Sequence, residues 1–345
     1  MKLSIIVINY NTFELTCNCL RDIFINDWNF LFEVILVDNA SNECDSNNFK
    51  IKFPLIKLIK SGENGGFARG NNIGIAAAQG MYLLVLNSDT LSLSEGIKRC
   101  ISYMDLHKDI HDLAGVGCKI LSLDGSRQNS AFDYRIGLKS ALLDNSIVGI
   151  TAKKMGYAKY RSEKYVEEMH EKEHAVQALL GAFILFRKDV IDIAKALDPD
   201  FFLYYEELEW CYRINDAGYR IMYIPDVSIT HIGQGTSSTM VTSESTNKQH
   251  FLSKLLLIFK QGGYFGLIMY NMIFIINYMT NIILLPLRSS IAREAHKAYI
   301  RGVFFSLKYQ WVMLKHFNPK FASSKFPFKL SIVEELSDEN KLNHF

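Results

Sequence analysis

Short, largely apolar runs recur along the first two hundred residues, and the stretches between them alternate apolar and polar positions with helical spacing. Leu3–Ile8, Glu33–Val37, Leu55–Ile59, Tyr82–Leu86, Ala114–Leu121 and Gly181–Phe186 read as strands, most of them covered on both faces in a sheet. Phe13–Trp28 and Phe67–Gln79 read as helices, with another begun near Ser94. This alternation predicts an α/β fold, a doubly wound and mostly parallel sheet flanked by helices. Such sheets bind ligands beyond the carboxyl ends of their strands. Asn9, Asp38 and Asn87-Ser88-Asp89 stand at such ends.

The pattern loosens over Ser122–His174, which is polar, aromatic and weakly periodic. A helix follows near Lys188–Leu197, and a second over Glu206–Ala217 is stopped by Gly218. Arg220–Ile224 reads as a short strand ended by Pro225, and the polar tract Gly233–Lys248 as a loop or lid. Beyond it the chain changes character, so it divides into residues 1–245 and a helical, membrane-associating region over 246–345. From Gln261 to Leu287 there is no charged side chain. On a helical wheel Gly263, Gly266, Tyr270, Asn277, Thr280 and Asn281 share one side of that run and the rest is apolar. Basic residues flank both ends, which disfavours placing either end across a bilayer. A helix lying in the membrane interface is the first reading; a spanning helix over 264–287 and a buried core helix are the alternatives. Arg293, Lys297, Arg301, Lys308 and Lys315 cluster on one face of the next helix and suit anionic headgroups.

A chain of 345 residues can bury a large core, and its net charge of +2 gives no electrostatic case for nucleic acid. Its six cysteines show neither paired zinc spacing nor the density of a disulfide scaffold. The apolar run after Met1 is shorter than a signal-peptide core. A cytoplasmic setting is therefore expected.

The chemistry gathers in a few segments. Tyr204-Tyr205-Glu206-Glu207-Leu208-Glu209 places three carboxylates within four residues, an arrangement that repulsion disfavours unless it faces water, a cation or a reacting proton. Asn9-Tyr10-Asn11 and Val37-Asp38-Asn39-Ala40-Ser41 put amides and a carboxylate at one rim, where Asn11 and Ser41 could instead cap the following helices. Glu63-Asn64-Gly65-Gly66-Phe67-Ala68-Arg69-Gly70-Asn71-Asn72 leads glycines into a helix start, which suits a diphosphate but matches neither common nucleotide fingerprint. Asp89 suits a divalent cation or a helix cap, with His231 as the best second metal ligand. Arg213 could reach a diphosphate or offset the acidic cluster.

Taken in order, Ile-Val-Ile-Asn-Tyr-Asn, Val-Asp-Asn-Ala-Ser, Glu-Asn-Gly-Gly-Phe-Ala-Arg-Gly-Asn-Asn, Leu-Asn-Ser-Asp-Thr, Tyr-Tyr-Glu-Glu-Leu-Glu-Trp-Cys, Pro-Asp-Val and His-Ile-Gly resemble the family 2 glycosyltransferases of the bacterial rhamnosyltransferase-like branch. The resemblance covers residues 1–240. It implies a GT-A fold, a nucleotide-diphosphate sugar donor, a divalent cation (Mg or Mn) and inversion at the anomeric carbon. By position, Asp38 would contact base or ribose; Gly66, Arg69 and Asn71 would line the nucleotide with Asn9, Asn87, Ser88 and Arg213; and Asp89 would hold the metal with His231. Glu207 matches the catalytic base, with Glu206 beside it. The acidic pair is Glu-Glu here rather than Glu-Asp, and Asn-Ser-Asp replaces Asn-Pro-Asp.

Inversion needs one in-line displacement, in which a base takes the acceptor hydroxyl proton as the diphosphate leaves. The positive end of the helix is expected to keep Glu207 ionised. The implied acceptor is a lipid-linked or other glycan at the inner face of the cell membrane, in surface polysaccharide synthesis, with rhamnose or a hexose as the sugar. A nucleotidyltransferase and a catalytically silent nucleotide-sugar-binding scaffold are the competing readings.

Overall fold

The structure, a computed structural model, describes residues 1–143, 163–233, 244–284, 297, 301, 304–317, 319 and 327–337. These form two compact units. One comprises Met1–Tyr134, Val166–Asp198 and Glu206–Thr242; the other comprises Arg135–Tyr165, Pro199–Tyr205 and Ser243–Phe345.

The first unit is built on β1 (Leu3–Asn9), β2 (Phe32–Asp38), β3 (Lys57–Lys60), β4 (Tyr82–Asn87), β5 (Thr90–Leu91), β6 (Leu113–Leu121), β7 (Ala131–Phe132), β8 (His174–Val176), β9 (Ala178–Leu179), β10 (Phe183–Arg187) and β11 (Arg220–His231). The main sheet runs β3-β2-β1-β4-β10-β6-β11-β5, with β8 added beside β11. β1, β2, β3 and β4 are parallel, as expected, with β1, β2 and β4 buried and β3 a short, partly exposed edge strand that begins later than the run from Leu55 suggests. β10 enters antiparallel to both β4 and β6. The sheet is thus mixed, because an apolar run records burial and not direction. β11 also departs from expectation, continuing through Pro225 to His231. A register shift between Ile224 and Ser228 takes the proline out of the ladder, where its missing N–H costs nothing.

Two helices on the sheet bear on the site. α1 (Phe13–Phe24) is shorter than its pattern suggested, and α3 (Gly66–Ala77) follows α2 (Asn47–Lys52). α3 lies close on β1 because two glycines one turn apart face the strand: a Cβ at Gly74 would meet Ile6 Cγ2 at 2.4 Å, and one at Gly70 would meet Ile8 Cγ2 at 3.1 Å. Only glycine admits that approach, and it brings the first turn of α3 down to the strand ends.

The second unit centres on the helical segment Glu244–Leu284, two helices joined end to end at Gly263, whose φ 57° and ψ −151° break the helical backbone. The segment 199–205 is pinned to it from within the same unit. Lys260 Nζ meets the fully buried Asp200 at 2.5 Å, Ser253 Oγ donates to the Leu203 carbonyl at 2.7 Å, and the Tyr205 hydroxyl lies 2.9 Å from His250 Nε2. Tyr204 and Tyr205 both adopt left-handed backbone, φ 72° and 70°, a strain of about 1–3 kcal/mol each that these contacts must hold.

The uncharged run in this helix is turned inside out. Its polar members Tyr270 and Asn277 are buried, and Asn277 donates to the Ala141 carbonyl at 3.0 Å. Tyr264, Phe265, Ile268, Met272, Ile275, Ile276 and Met279 are instead 48–70% exposed. Helical spacing joins them into one apolar face. Asn271 and Gln310 exchange two amide hydrogen bonds (3.0 and 2.9 Å), and Phe304 meets the rings of Phe274 and Tyr278, so the segment 304–316 packs beside this helix. Among the five basic residues singled out in the sequence, Lys297, Arg301, Lys308 and Lys315 are exposed; Arg293 lies outside the described residues, as do the tract 234–243 and the side chains of Thr280 and Asn281.

Candidate active site

Pairing fixes the rim before any side chain is considered. Asn9 is in register with Asp38, and Ile8 with Asn87, so the carboxyl ends of β1, β2 and β4 are level. Asn9 is buried and its amide is fully engaged: Nδ2 donates to Asp38 Oδ1 (3.2 Å) and Ser41 Oγ (2.9 Å), while Oδ1 accepts from Thr12 and Thr16. Its visible work is to hold Asp38, whose Oδ1 also receives the Ser41 N–H at 3.4 Å. Ser41 and Asn11 cap neither following helix. Ser41 Oγ accepts the Asn11 N–H and Asn11 Oδ1 accepts the Asn42 N–H, so these residues stitch the two rim loops together.

Asn39 carries the rim to the glycine turn. Its Nδ2 donates to Asn64 Oδ1 (3.0 Å) and the Gly66 carbonyl (3.1 Å), and its Oδ1 accepts the Gly65 N–H (3.3 Å). Gly66 has φ 82°, a left-handed conformation that glycine adopts without strain. Arg69 lies one turn further on, 3.9 Å from the exposed Glu63 carboxylate. Asn71 is fully buried; its Nδ2 donates to the Phe67 carbonyl, and its Oδ1 has no hydrogen-bond partner among the described residues.

On the other side of β1, Ser88 Oγ lies 3.3 Å from Thr12 Oγ1, and the cap position of the next helix, Leu93–Leu106, falls to Ser92 rather than Asp89. β11 pairs antiparallel with β5 so that His231 stands opposite Thr90, which brings its Nε2 to 3.2 Å from Asp89 Oδ1 and 3.2 Å from Asn87 Nδ2. A residue that the sequence reading missed completes this corner. Gln128, in the return from β6, places Oε1 2.8 Å from His231 Nδ1 and donates from Nε2 to the His231 carbonyl at 2.8 Å. A lone glutamine in a weakly periodic tract carries no signal in one sequence.

The acidic helix spans Glu206–Asp216. Trp210 anchors it, fully buried edge-on to Phe186 of β10 with its indole N–H on the Lys195 carbonyl at 2.8 Å. Arg213 does not extend to the rim. Its guanidinium donates to Glu209 Oε1 (2.7 Å) and to the carbonyls of Ala194 and Ala196, the role of offsetting the acidic cluster. Glu206 and Glu209 are buried, whereas Glu207 is half-buried against Gly181, with its Cγ 3.4 Å from where a Cβ there would sit. The next residue, Ala182, accepts the Asn87 N–H at 3.1 Å, so Glu207 stands beside the strand end that carries Asp89.

Burial pushes the Glu207 carboxyl above the ordinary carboxylate range, against the N–H groups of Glu207, Gly181 and Leu208, which pull it down. The net shift is upward, opposite in direction to the pull expected from the positive helix end. One oxygen, Oε2, is buried with no hydrogen-bond partner among the described residues.

The donors at Asp89 and His231 fit a divalent cation held together with ligand oxygens. A carboxylate oxygen and an imidazole nitrogen 3.2 Å apart can both reach one ion at roughly 2.0–2.2 Å. Among the described residues no group of three or more His, Cys, Asp or Glu could hold a metal unaided.

A mixed sheet with acidic, amide and glycine-turn groups converging on its carboxyl rim has the arrangement by which open α/β folds bind ligands beyond their strand ends. The glycosyl transferase family 2 model matches residues 4–192, and the chain belongs to that family. Rhamnosyltransferase WbbL of Escherichia coli (strain K12) is 26% identical over 173 residues, 48% of this chain and 60% of its own. The low-salt glycan biosynthesis hexosyltransferase Agl10 of Haloferax volcanii is 27% identical over 223 residues, 61% of each chain. The chain thus spans about six-tenths of the length of these relatives. The mannosyltransferase PcManGT from Pyrobaculum calidifontis, solved in complex with GDP-Man and Mn2+, superposes with a TM-score of 0.52 at 15% identity over 89% of this chain and 85% of its own. The shared fold is GT-A.

Because the folded pKa of Glu207 is raised, its neutral form contributes stability that is fully present below the ordinary value of 4.5 and is lost as pH rises through the folded value. Glu207→Gln should therefore melt at a higher temperature than the parent near neutral pH, and the gap should close as the buffer approaches about pH 4.5. Equal melting temperatures at neutral pH would mean that the backbone donors offset the burial in full.

Proposed function

We propose that the protein is an inverting, metal-dependent glycosyltransferase that moves a sugar, rhamnose or a hexose, from a nucleotide-diphosphate donor to a lipid-linked or glycan acceptor in surface polysaccharide synthesis. The observation that carries this reading is the convergence of Asp89, His231 and Glu207 around the end of β4. Asp38 receives the base or ribose, held in place by Asn9 and Ser41. The first turn of α3, Gly66 with Arg69 and with Asn71 buried behind them, faces the diphosphate along with Asn87 and Ser88; the positive helix end favours negative charge there. Asp89 and His231 would hold a Mg or Mn cation, which when bound would offset the charge that develops on the departing diphosphate. The Mn2+ in PcManGT supports that choice.

Glu207 acts as the base. Its carboxylate accepts the acceptor hydroxyl proton as the oxygen attacks the anomeric carbon opposite the leaving diphosphate, one bond forming as one breaks. A carboxyl raised by burial is a stronger base than an exposed one and holds the proton it takes. Glu206, deeper in the protein, shapes the helix start. A panel of nucleotide sugars assayed by nucleoside diphosphate release identifies the donor. With that donor, Glu207→Gln should lower transfer by about two to four orders of magnitude with donor affinity retained. Asp89→Asn and chelation should both abolish metal-dependent donor binding. Near-parental transfer by Glu207→Gln, with the loss falling on Glu206→Gln instead, would move the base one residue upstream; full transfer in excess chelator would remove the cation.

The second unit supports a place at the inner membrane surface. Its exposed apolar face and the exposed Phe304, Trp311 and Leu314 combine apolar area with aromatic side chains of the kind found at membrane interfaces. The apolar helical segment over Lys248–Met279 has the length and composition of a bilayer-spanning segment, but it is broken at Gly263 and half of its most apolar window is buried. Between Gln261 and Phe317 the chain carries six Lys or Arg and one carboxylate, Glu294. An anionic surface matches that balance. Replacing Phe265, Ile268 and Met272 together with Ser should cut binding to phosphatidylglycerol vesicles at least tenfold and leave donor hydrolysis in detergent unchanged. Parental vesicle binding by this variant would refute the membrane placement.

A further inference from the structure

We propose that Gln128 is a positioning residue that fixes the tautomer of His231, presenting an unprotonated Nε2 toward Asp89. This rests on the cation-binding role proposed for Asp89 and His231, and it names the residue that makes His231 able to perform it.

The amide of Gln128 has one orientation. Its Nε2 donates to the His231 carbonyl at 2.8 Å and to Ser122 Oγ at 3.2 Å, so the group on that side must be NH2. The carbonyl Oε1 is thereby turned to His231 Nδ1 at 2.8 Å, and an amide oxygen only accepts. Nδ1 must therefore carry the proton. In a neutral imidazole the lone pair is then on Nε2, where the Asn87 amide Nδ2 donates to it at 3.2 Å. Asp89 Oδ1, a second electron-rich atom, faces the same nitrogen at 3.2 Å. Two acceptors so close repel unless a cation lies between them, so the Gln128 contact readies the corner for a metal.

The backbone around Gln128 leaves it little freedom. The return from β6 is a tight turn in which Ser122 N–H donates to the Ser126 carbonyl and Gly125 N–H to Ser122, with Asp124 Oδ1 accepting from Ser126. Leu121 bridges Arg127, and the Gln128 N–H returns to the Ile120 carbonyl at 2.9 Å. The side chain leaves the turn alongside the end of β11 and grips both the main chain and the ring of one residue. An outer partner of this kind is worth about 10- to 100-fold in metal affinity.

The test separates this role from packing and from the catalytic reading. Nitrogen-15 imidazole spectra of the metal-free full chain, recorded at about pH 8, above the ordinary histidine range, should show His231 with a protonated Nδ1 and a bare Nε2. Gln128→Leu should shift His231 toward the Nε2–H tautomer and weaken Mn2+ binding, measured with the metal alone, by about 10- to 100-fold. Gln128→Glu, which restores an acceptor at Nδ1, should keep the parental tautomer and recover most of the Mn2+ affinity. A parental spectrum showing Nε2–H or a doubly protonated ring would overturn the proposal, as would unchanged tautomer and Mn2+ affinity in the Leu variant. The parental spectrum and the Glu variant decide the matter even if the Leu variant does not fold. If the tautomer is as stated and sugar transfer is absent, the functional reading fails alone; if transfer is chelator-sensitive and the tautomer is wrong, this inference fails alone.

Discussion

The pairing of β11 with β5 is the contact on which the site depends. It sets His231 opposite Thr90 and so brings an imidazole from a segment distant in sequence onto Asp89. Neither residue makes a cation site by itself. The pairing exists only because β11 continues past Pro225, with the irregular step between Ile224 and Ser228 absorbing the residues that cannot join the ladder.

The acidic helix shows the opposite balance of stability and use. Glu206, Glu207 and Glu209 are crowded at one helix start, and each is treated differently. Glu209 is matched by Arg213, Glu207 takes backbone N–H groups yet stays raised by burial, and Glu206 is sunk into the protein. Trp210 and the Arg213 clamp on the Ala194 and Ala196 carbonyls supply the rigidity that keeps this arrangement from relaxing. Rigid placement of an imperfectly solvated carboxylate suits the base role proposed for Glu207.

Much of the first unit was readable because buried strands are written as continuous apolar runs and end on polar residues. Asn9, Asp38 and Asn87 stand level at the rim, as their strand-end positions implied. Direction was not readable: the run at β10 has the same composition whichever way it points. Nor was the passage of β11 through Pro225, since proline ordinarily stops a strand. The partners of Arg213 and the engagement of Asn9 by Asp38 and Ser41 depend on contacts between distant segments. Gln128 was invisible for the same reason, because its meaning lies wholly in a histidine 103 residues away. In the second unit the sequence showed an uncharged helix with a polar stripe, but not that Tyr270 and Asn277 would face inward and the apolar side outward.

The most direct test of the account is the position of a metal at the end of β4. Crystals soaked with Mn2+ and a nucleoside diphosphate, measured at the manganese absorption edge, should give one anomalous peak within ligand distance of both Asp89 Oδ1 and His231 Nε2, adjoining the diphosphate. Nucleotide bound along the rim with no peak there, or a peak ligated by other residues, would contradict it.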